Sequence, residues 1–394
     1  MKDVFIVAPV RTPIGKFGGT LKDWTAADLA IPAVQETLRR AGVGPAEIDE
    51  AIIGNARQAG GGPNVARQIS YRAGLPDSVP AFTVNKACGS GLKALVLAAE
   101  QIMLGRANAV IAGGSESMSR VPYLVEGARW GLRMGTAPLV DGMYKDGFLD
   151  PLSGKVMGET AETLATRYEI SRSEQDQYAL RSQNRAEAAQ AEGRFASEIV
   201  PLSIPDRKGG SVAFGIDEHI RIGATLESME KLTPVFSKQG TVTAGNSSGI
   251  TDGAASMLVI SEDFANRRAI KPAVRLVDYE VAGVDPAVMG IGPVPAIRKL
   301  LERRKLSMAD IDLVELNEAF AAQVIACDRE LGFDAERLNV NGGAIALGHP
   351  IGCSGARIMT TLIHELGRRN GRLGLATLCM SGGMGMAVLV ERVS

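Results

Sequence analysis

Apolar and polar residues fall in short blocks along the chain, and their periods predict an alternation of strands and helices. Residues 4–8 (VFIVA) form an uninterrupted apolar run of strand length, as in a strand covered on both faces. Residues 28–41 carry apolar positions at helical spacing and stop at Gly42. Residues 51–54 (AIIG) predict a second strand, and residues 92–104 (LKALVLAAEQIML) an apolar helix closed by Gly105. Residues 109–112 (AVIA) predict a strand running into a turn at Gly113 and Gly114. From about residue 251 the rhythm returns, with strands expected at 274–277, 313–316, 373–378 and 387–390 and a helix at 358–366. Such alternation implies an α/β fold with its sheet covered on both faces.

Residues 119–249 break the rhythm. They are rich in Gly, Pro and charge and contain one clear helix, with Ser171 as N-cap and Glu174 three residues on, running to about Glu192 and ending at Gly193. This stretch reads as an inserted, partly irregular domain lying over the core. The flanking parts repeat each other loosely: residues 84–118 and 340–384 both run strand, small-residue turn, apolar helix, strand, Gly-rich turn. Aligning Gly89-Ser90-Gly91 with Cys353-Ser354-Gly355 brings the two helices into register. The expected organisation is a first half of residues 1–118 with 250–270, an inserted domain at 119–249 and a second half at 271–394.

Composition narrows the classes. A chain of 394 residues is too long for one ordinary core. Its net charge of -1 provides no global field to recruit nucleic acid or an anionic membrane. Glycine is abundant, at 46 residues against 5 % aromatics, which points to tight turns and close backbone approaches. The four cysteines, Cys88, Cys327, Cys353 and Cys379, form no CxxC pair and have no zinc-type spacing to His, so no metal site is expected. Reduced thiols and a cytosolic compartment are expected, since the first residues read as a strand and not as a signal peptide. No stretch of about 18 uninterrupted apolar residues is present to span a bilayer.

Four segments carry candidate chemistry. Cys88, in NKACGSG, lies between an expected strand and the helix starting near Leu92. The helix dipole and unpaired N–H groups there favour the reactive thiolate, although a buried structural thiol fits the local context equally well. His349, in NGGAIALGHP, sits in turn geometry before Pro350. A neutral imidazole there can take a proton from a thiol, or simply bond a backbone carbonyl. Cys379, in CMSGGMG, follows an expected strand, and backbone N–H groups in such a turn can cradle an oxyanion. Asn317, in NEAF, ends another strand, where it can hold a water or a carbonyl.

Together these segments resemble the thiolase family over the whole chain. The resemblance rests on NKACGSG, NEAF, GGAIALGHPIGCSGAR and CMSGGMG, with VRTPIGKFGG near the start and GNSSGITDGAA from Gly245. It implies a thiolase-like layered αβαβα fold of two similar halves with an inserted loop domain. It further implies two-step acyl transfer with coenzyme A as substrate and no other cofactor. By motif position Cys88 would hold the acyl group, His349 would take the Cys88 proton, and Cys379 would move the proton on the carbon next to the acetyl-CoA carbonyl. One oxyanion hole would comprise His349 and a water on Asn317, the other the backbone N–H groups of Cys88 and Ser381. Ser248 would contact the pantetheine, Arg221 and Ser228 the nucleotide end, and Met157 and Phe320 would line the acyl pocket. A solvated surface charge is the plainer alternative for Arg221.

Two departures matter. Many family members carry Gly where this chain has Ser381. Short-chain biosynthetic members usually carry His at the position of Val156, so its absence favours broader or longer acyl chains. A decarboxylating ketoacyl-synthase type is disfavoured because His219 and His364 lack its motifs. A catalytically silent acyl-CoA or lipid-binding relative, or partner subunit, remains as the reading from another class. The resemblance also implies a homodimer or homotetramer. Residues 118–134, with Tyr123, Trp130 and Leu132, could supply oligomer contacts or fold onto their own subunit.

Overall fold

The computed structural model describes residues 3–206 and 209–393. The first part of the chain runs β1 (Val4–Arg11), β2 (Gly15–Lys16), α1 (Ala26–Ala41), β3 (Glu50–Gly54), α2 (Val65–Arg72), β4 (Ala81–Val84), α3 (Ser90–Met103) and β5 (Ala109–Ser117). The middle part adds the small pair β6 (Tyr123–Leu124) and β7 (Val140–Asp141), helices α4 (Met157–Arg167) and α5 (Arg172–Ala191), the hairpin β8 (Leu202–Pro205) and β9 (Ser211–Phe214), and α6 (Leu226–Glu230). The remainder runs β10 (Thr251–Ser261), α7 (Glu262–Arg268), β11 (Val274–Gly283), α8 (Pro293–Arg304), β12 (Leu313–Leu316), α9 (Ala321–Leu331), α10 (Ala344–Leu347), α11 (Ile351–Arg369), β13 (Leu373–Met380) and β14 (Met384–Arg392).

Strand order is β12-β13-β14-β11-β1-β10-β5-β3-β4. The sheet changes halves at a narrow seam, where β1 meets β11 through only Phe5↔Arg275 and Ile6↔Val274. Outward from the seam the two sides repeat. Antiparallel β1-β10-β5 continues into parallel β3, and antiparallel β11-β14-β13 continues into parallel β12. One difference places the site. β13 turns into β14 through three residues, 381–383, whereas the matching link from β5 to β10 is the whole middle part of the chain.

Period-two burial explains why these strands read as continuous apolar runs. On β5, Val110 and Ala112 face a central core with α3 and α11, while Ala109 and Ile111 face α1 and α2. On β14, Met386 and Val388 join the same central core, while Ala387 and Leu389 face α8 and α9. The result is five layers, αβαβα, with α3 and α11 sandwiched in the middle.

Those two helices approach closely, and reciprocally. A Cβ added at Gly91 would lie 2.8 Å from the Ala356 nitrogen, and one at Gly355 would lie 2.7 Å from Leu92 Cβ. Residue 91 meets 356 and residue 355 meets 92, the signature of a two-fold contact, and it is in the register read from the sequence.

Several boundaries differ from expectation. Gly113 and Gly114 lie inside β5 and not in a turn, because a side chain there would strike the Ala255 or Gly352 carbonyl. α11 begins at Ile351, seven residues before the expected 358; its glycines lower helical propensity but admit α3. The middle part holds a second full helix, α4, whose start has no side-chain cap and instead ties the Val156 N–H to Glu159 at 2.8 Å. The helix expected after Ser171 is present, with Ser171 Oγ accepting the Glu174 N–H at 3.2 Å and Gly193 left-handed beyond its end. No helix among the described residues is long and apolar enough to cross a membrane.

Candidate active site

Cys88 stands two residues before α3, on a loop fixed at both ends. Asn85 reaches back to the Ala56 carbonyl at 3.3 Å and its Oδ1 accepts the Ala87 N–H at 3.0 Å. Ser90 Oγ accepts the Lys86 N–H at 2.8 Å and donates to the Ala87 carbonyl at 2.6 Å. Between these ties Ala87 is held at φ 48°, a left-handed conformation that costs a non-glycine residue about 1–3 kcal/mol. Gly89 is required here, since a Cβ would run into the Met380 sulfur of the opposite half.

The surroundings of Cys88 do not favour the expected thiolate. Burial, the largest influence, pushes its thiol above the ordinary range; Arg57 and the N–H groups of Ser381 and Cys88 itself pull the other way without prevailing. The helix N-terminus offers little help because the Gly89 and Ser90 N–H groups are already spent on the Lys86 and Ala87 carbonyls, each at 3.0 Å. These influences together favour the thiol form of Cys88.

The N–H groups of Ser381 and Cys88 lie close enough to the Cys88 sulfur to favour its charged form. Cys379, two residues before Ser381 and fully buried, is near enough that a charge on Cys88 would raise it further. Burial is the main reason its own thiol lies well above the usual range.

His349 stands two residues before α11 and is 6 % exposed. Nδ1 lies 2.5 Å from Ser354 Oγ, and Nε2 faces Asn317 Nδ2 at 3.4 Å. Burial, then Arg357 and Arg57, lowers its pKa to about 3, so the ring is neutral at physiological pH. Asn317 is anchored by its N–H on the Thr377 carbonyl at 3.0 Å, while its Oδ1 is buried without a partner. Its neighbour Glu318 is clamped by Tyr178 and Ser182 of α5, by Asn339 and by the Ile345 N–H, which ties the middle part of the chain to the His349 loop.

Phe320 and Met157 share one apolar cluster with Cys379, Ala161, Val242 and Met289. Phe236 completes it, its ring 6.2 Å from that of Phe320 and lying where a side chain at Gly158 would be. Ser248 borders this cluster through its N–H on the Ala319 carbonyl at 3.0 Å, and the Gly249 carbonyl accepts the His349 N–H at 3.0 Å. Arg221 and Ser228 lie farther out. Arg221 is exposed and donates to the Ala244 carbonyl at 3.0 Å, and Ser228 is exposed in α6 with its hydroxyl on the Thr225 carbonyl at 2.7 Å.

Sequence reasoning missed Arg57 and Glu116. Glu116 is fully buried and collects the N–H groups of Ala56, Arg57 and Gly352 and the Asn55 amide, linking the Arg57 loop to the first turn of α11. No spacing in the chain announces this, because the partners come from three distant segments.

With that geometry in place, the likeness to known proteins is unambiguous. The thiolase N-terminal domain matches residues 4–263 and the thiolase C-terminal domain residues 270–392. The chain belongs to the thiolase family. This thiolase is 53 % identical to an acetyl-CoA acetyltransferase of Cupriavidus necator, covering 100 % of both chains. Its fold matches the crystal structure of the Bacillus anthracis acetyl-CoA acetyltransferase with a TM-score of 0.97 at 48 % identity, covering 100 % of this chain and 99 % of that one. It matches human mitochondrial 3-ketoacyl-CoA thiolase, crystallised with CoA, at a TM-score of 0.96 and 44 % identity, covering 100 % and 98 %. Among the described residues no cluster of three His, Cys, Asp or Glu is arranged to hold a metal.

Proposed function

We propose that this thiolase transfers acyl groups between Cys88 and coenzyme A, cleaving 3-ketoacyl-CoA to acetyl-CoA and a shortened acyl-CoA, or running the reverse condensation. In the cleavage direction Cys88 gives its proton to His349 and its sulfur attacks the ketone carbonyl. The bond between the ketone carbon and its neighbour breaks, and the acetyl-CoA carbanion takes a proton from Cys379. A CoA thiol then gives its proton to the Cys379 thiolate and attacks the acyl group on Cys88. The released Cys88 sulfur recovers its proton from His349, so every proton is returned. Negative oxygen would develop twice. The N–H groups of Cys88 and Ser381 would serve one oxyanion, and His349 with a water on the unpartnered Asn317 Oδ1 the other.

The observation that carries the reading is that two backbone N–H groups, those of Cys88 and of Ser381 from the other half of the molecule, both favour charge on the Cys88 sulfur. The apolar cluster of Met157, Phe320 and Phe236 beside Cys379 supports an acyl pocket. An apolar Val156 at the start of α4 supports chains longer than acetoacetyl. We assign CoA to the line from Ser248 out to Arg221 and Ser228, and read the chain as three parts, residues 1–118 with 250–270, 119–249 and 271–394. Trp130 and Met134, exposed at 87 % and 101 %, support a homodimer or homotetramer through the middle part. A cytoplasmic setting fits the four free thiols.

The test is thiolysis of a ladder of 3-ketoacyl-CoA esters with free CoA, using Cys88→Ala as control and intact mass for the acyl adduct. Cleavage and adduct that both vanish in the variant are expected. Turnover that survives Cys88→Ala would sink the assignment.

A further inference from the structure

The lead-ins to α3 and α11 share one plan, and a single difference between them bears on His349. Ser90 and Ser354 occupy matching first-turn positions, each just before the glycine at the helix crossing. Ser90 Oγ accepts the backbone N–H of Lys86 at 2.8 Å. In the same register the counterpart of Lys86 is Pro350, which has no N–H to give. Ser354 nevertheless turns its own proton onto a turn carbonyl, that of Pro350 at 3.0 Å, as Ser90 does onto Ala87. An acceptor lone pair is left over on Ser354, and His349 Nδ1 lies 2.5 Å from it. On the far side of the ring Nε2 meets a donor, Asn317 Nδ2, at 3.4 Å. Both partners call for the same tautomer, with the proton on Nδ1 and the lone pair on Nε2. The opposite tautomer would need the Ser354 hydroxyl turned away from Pro350 and the Asn317 amide turned over as well.

We propose that Ser354 is a positioning residue that fixes His349 as the Nδ1–H tautomer and thereby keeps Nε2 as the nitrogen able to take a proton. The inference rests on His349 being the base of the reading above. A hydroxyl in this place orients the ring without adding charge. A carboxylate would stabilise the imidazolium and hold a thiolate–imidazolium pair at rest. With Ser354, fully buried, the thiol and imidazole stay neutral until the substrate carbonyl arrives, and the proton that Nε2 then receives becomes the donor facing the new oxyanion.

The chain has only three histidines, which makes the tautomer directly readable by ¹⁵N NMR of histidine-labelled enzyme. His219 Nδ1 and His364 Nε2 each face a backbone carbonyl at 2.9 Å and act as internal references for the two protonated nitrogens. His349→Asn assigns the third set of signals. The expected result in the unmodified enzyme is an unprotonated Nε2 and a protonated Nδ1 at His349; the reverse overturns the proposal without any variant having to fold. Ser354→Ala should slow acylation of Cys88 by ~10–100-fold, with KM for the acyl-CoA changed less than about 2-fold and the His349 signals split between tautomers. Ser354→Thr, which restores the hydroxyl, should recover most of that loss. Acylation at the normal rate in Ser354→Ala refutes the positioning role, whereas normal acylation in His349→Asn refutes the base assignment itself.

Discussion

Cys88 and His349 each stand two residues ahead of one of the two central helices, yet the chain reaches them differently. Before α11 the helix runs back as far as Ile351, and Gly352 is already inside it with its N–H on Glu116 at 2.8 Å. In the same register Cys88 would also be helical. Instead Ala87 turns left-handed at φ 48° and α3 starts only at Ser90, which leaves Cys88 outside the helix. A repeated unit thus acquires two chemistries. One copy spends about 1–3 kcal/mol of backbone strain to free a thiol and its amide, and the other keeps its helix and hands a serine hydroxyl to an imidazole.

The largest expected effect removes the imidazole from this pair. His349→Asn should lower thiolysis by on the order of 10²–10⁴-fold at pH 7. The sign of its pH dependence follows from Cys88, whose thiol burial raises above its ordinary 9.0. Without a base the thiolate must form in solution equilibrium, so the residual rate should climb about tenfold per pH unit up to that raised value. The unmodified enzyme should be nearly flat from about pH 5 to 8, because His349, lowered to about 3, stays an unprotonated base throughout. A variant rate as flat as that of the parent would show that His349 does not take the Cys88 proton.

Cys379→Ala should separate the half-reactions. Cys88 acylation by acetyl-CoA should persist within about 10-fold, and condensation should fall by roughly 10²–10⁴-fold. The two thiols are electrostatically coupled, each charge opposing the other, and acylating Cys88 removes that opposition from Cys379. Alkylation of Cys379 in the acetylated enzyme should therefore set in at lower pH than in the free enzyme. Condensation at the parental rate would remove Cys379 from the mechanism.

The sequence made the site's positions legible far better than its energetics. The motifs around Asn317 and His349 pick out two side chains that meet at 3.4 Å, and those around Cys88 and Cys379 two thiols close enough to interact electrostatically, since each is a local signal of strand end, small residues and turn. The direction of the Cys88 shift was not legible, because desolvation depends on what packs around a thiol and not on its neighbours in sequence. Arg57 and Glu116 stayed invisible for the same reason. Among the strands, β10 is buried along all eleven residues, yet its run TDGAASMLVIS opens too small and polar to read as a central strand. Its two faces meet α1 and the central helices so closely that small residues are what fit.

A smaller effect tests the two-fold relation directly. Gly91→Ala and Gly355→Ala each force a methyl into the facing helix, so each should destabilise by about 1–3 kcal/mol, read as comparable losses in thermal unfolding. A loss confined to one of the two would mean that the crossing is not symmetric in energy, whatever its register.

The smallest expected effect concerns Ser381. What approaches the Cys88 sulfur is the Ser381 backbone N–H, which glycine supplies equally well. The two residues after it, Gly382 and Gly383, carry the left-handed turn at φ 81° and 78°, so Ser381 itself is not asked for a conformation that glycine would ease. Ser381→Gly should therefore change thiolysis by less than about 3-fold, since a lost oxyanion donor would cost on the order of 10²–10³-fold. A drop of that larger size, measured as kcat on a short 3-ketoacyl-CoA, would mean that the hydroxyl and not the amide is the donor. The two halves would then meet at the sulfur through one backbone group and one side chain, and the pair of amides that carries the proposed function would have to be redrawn.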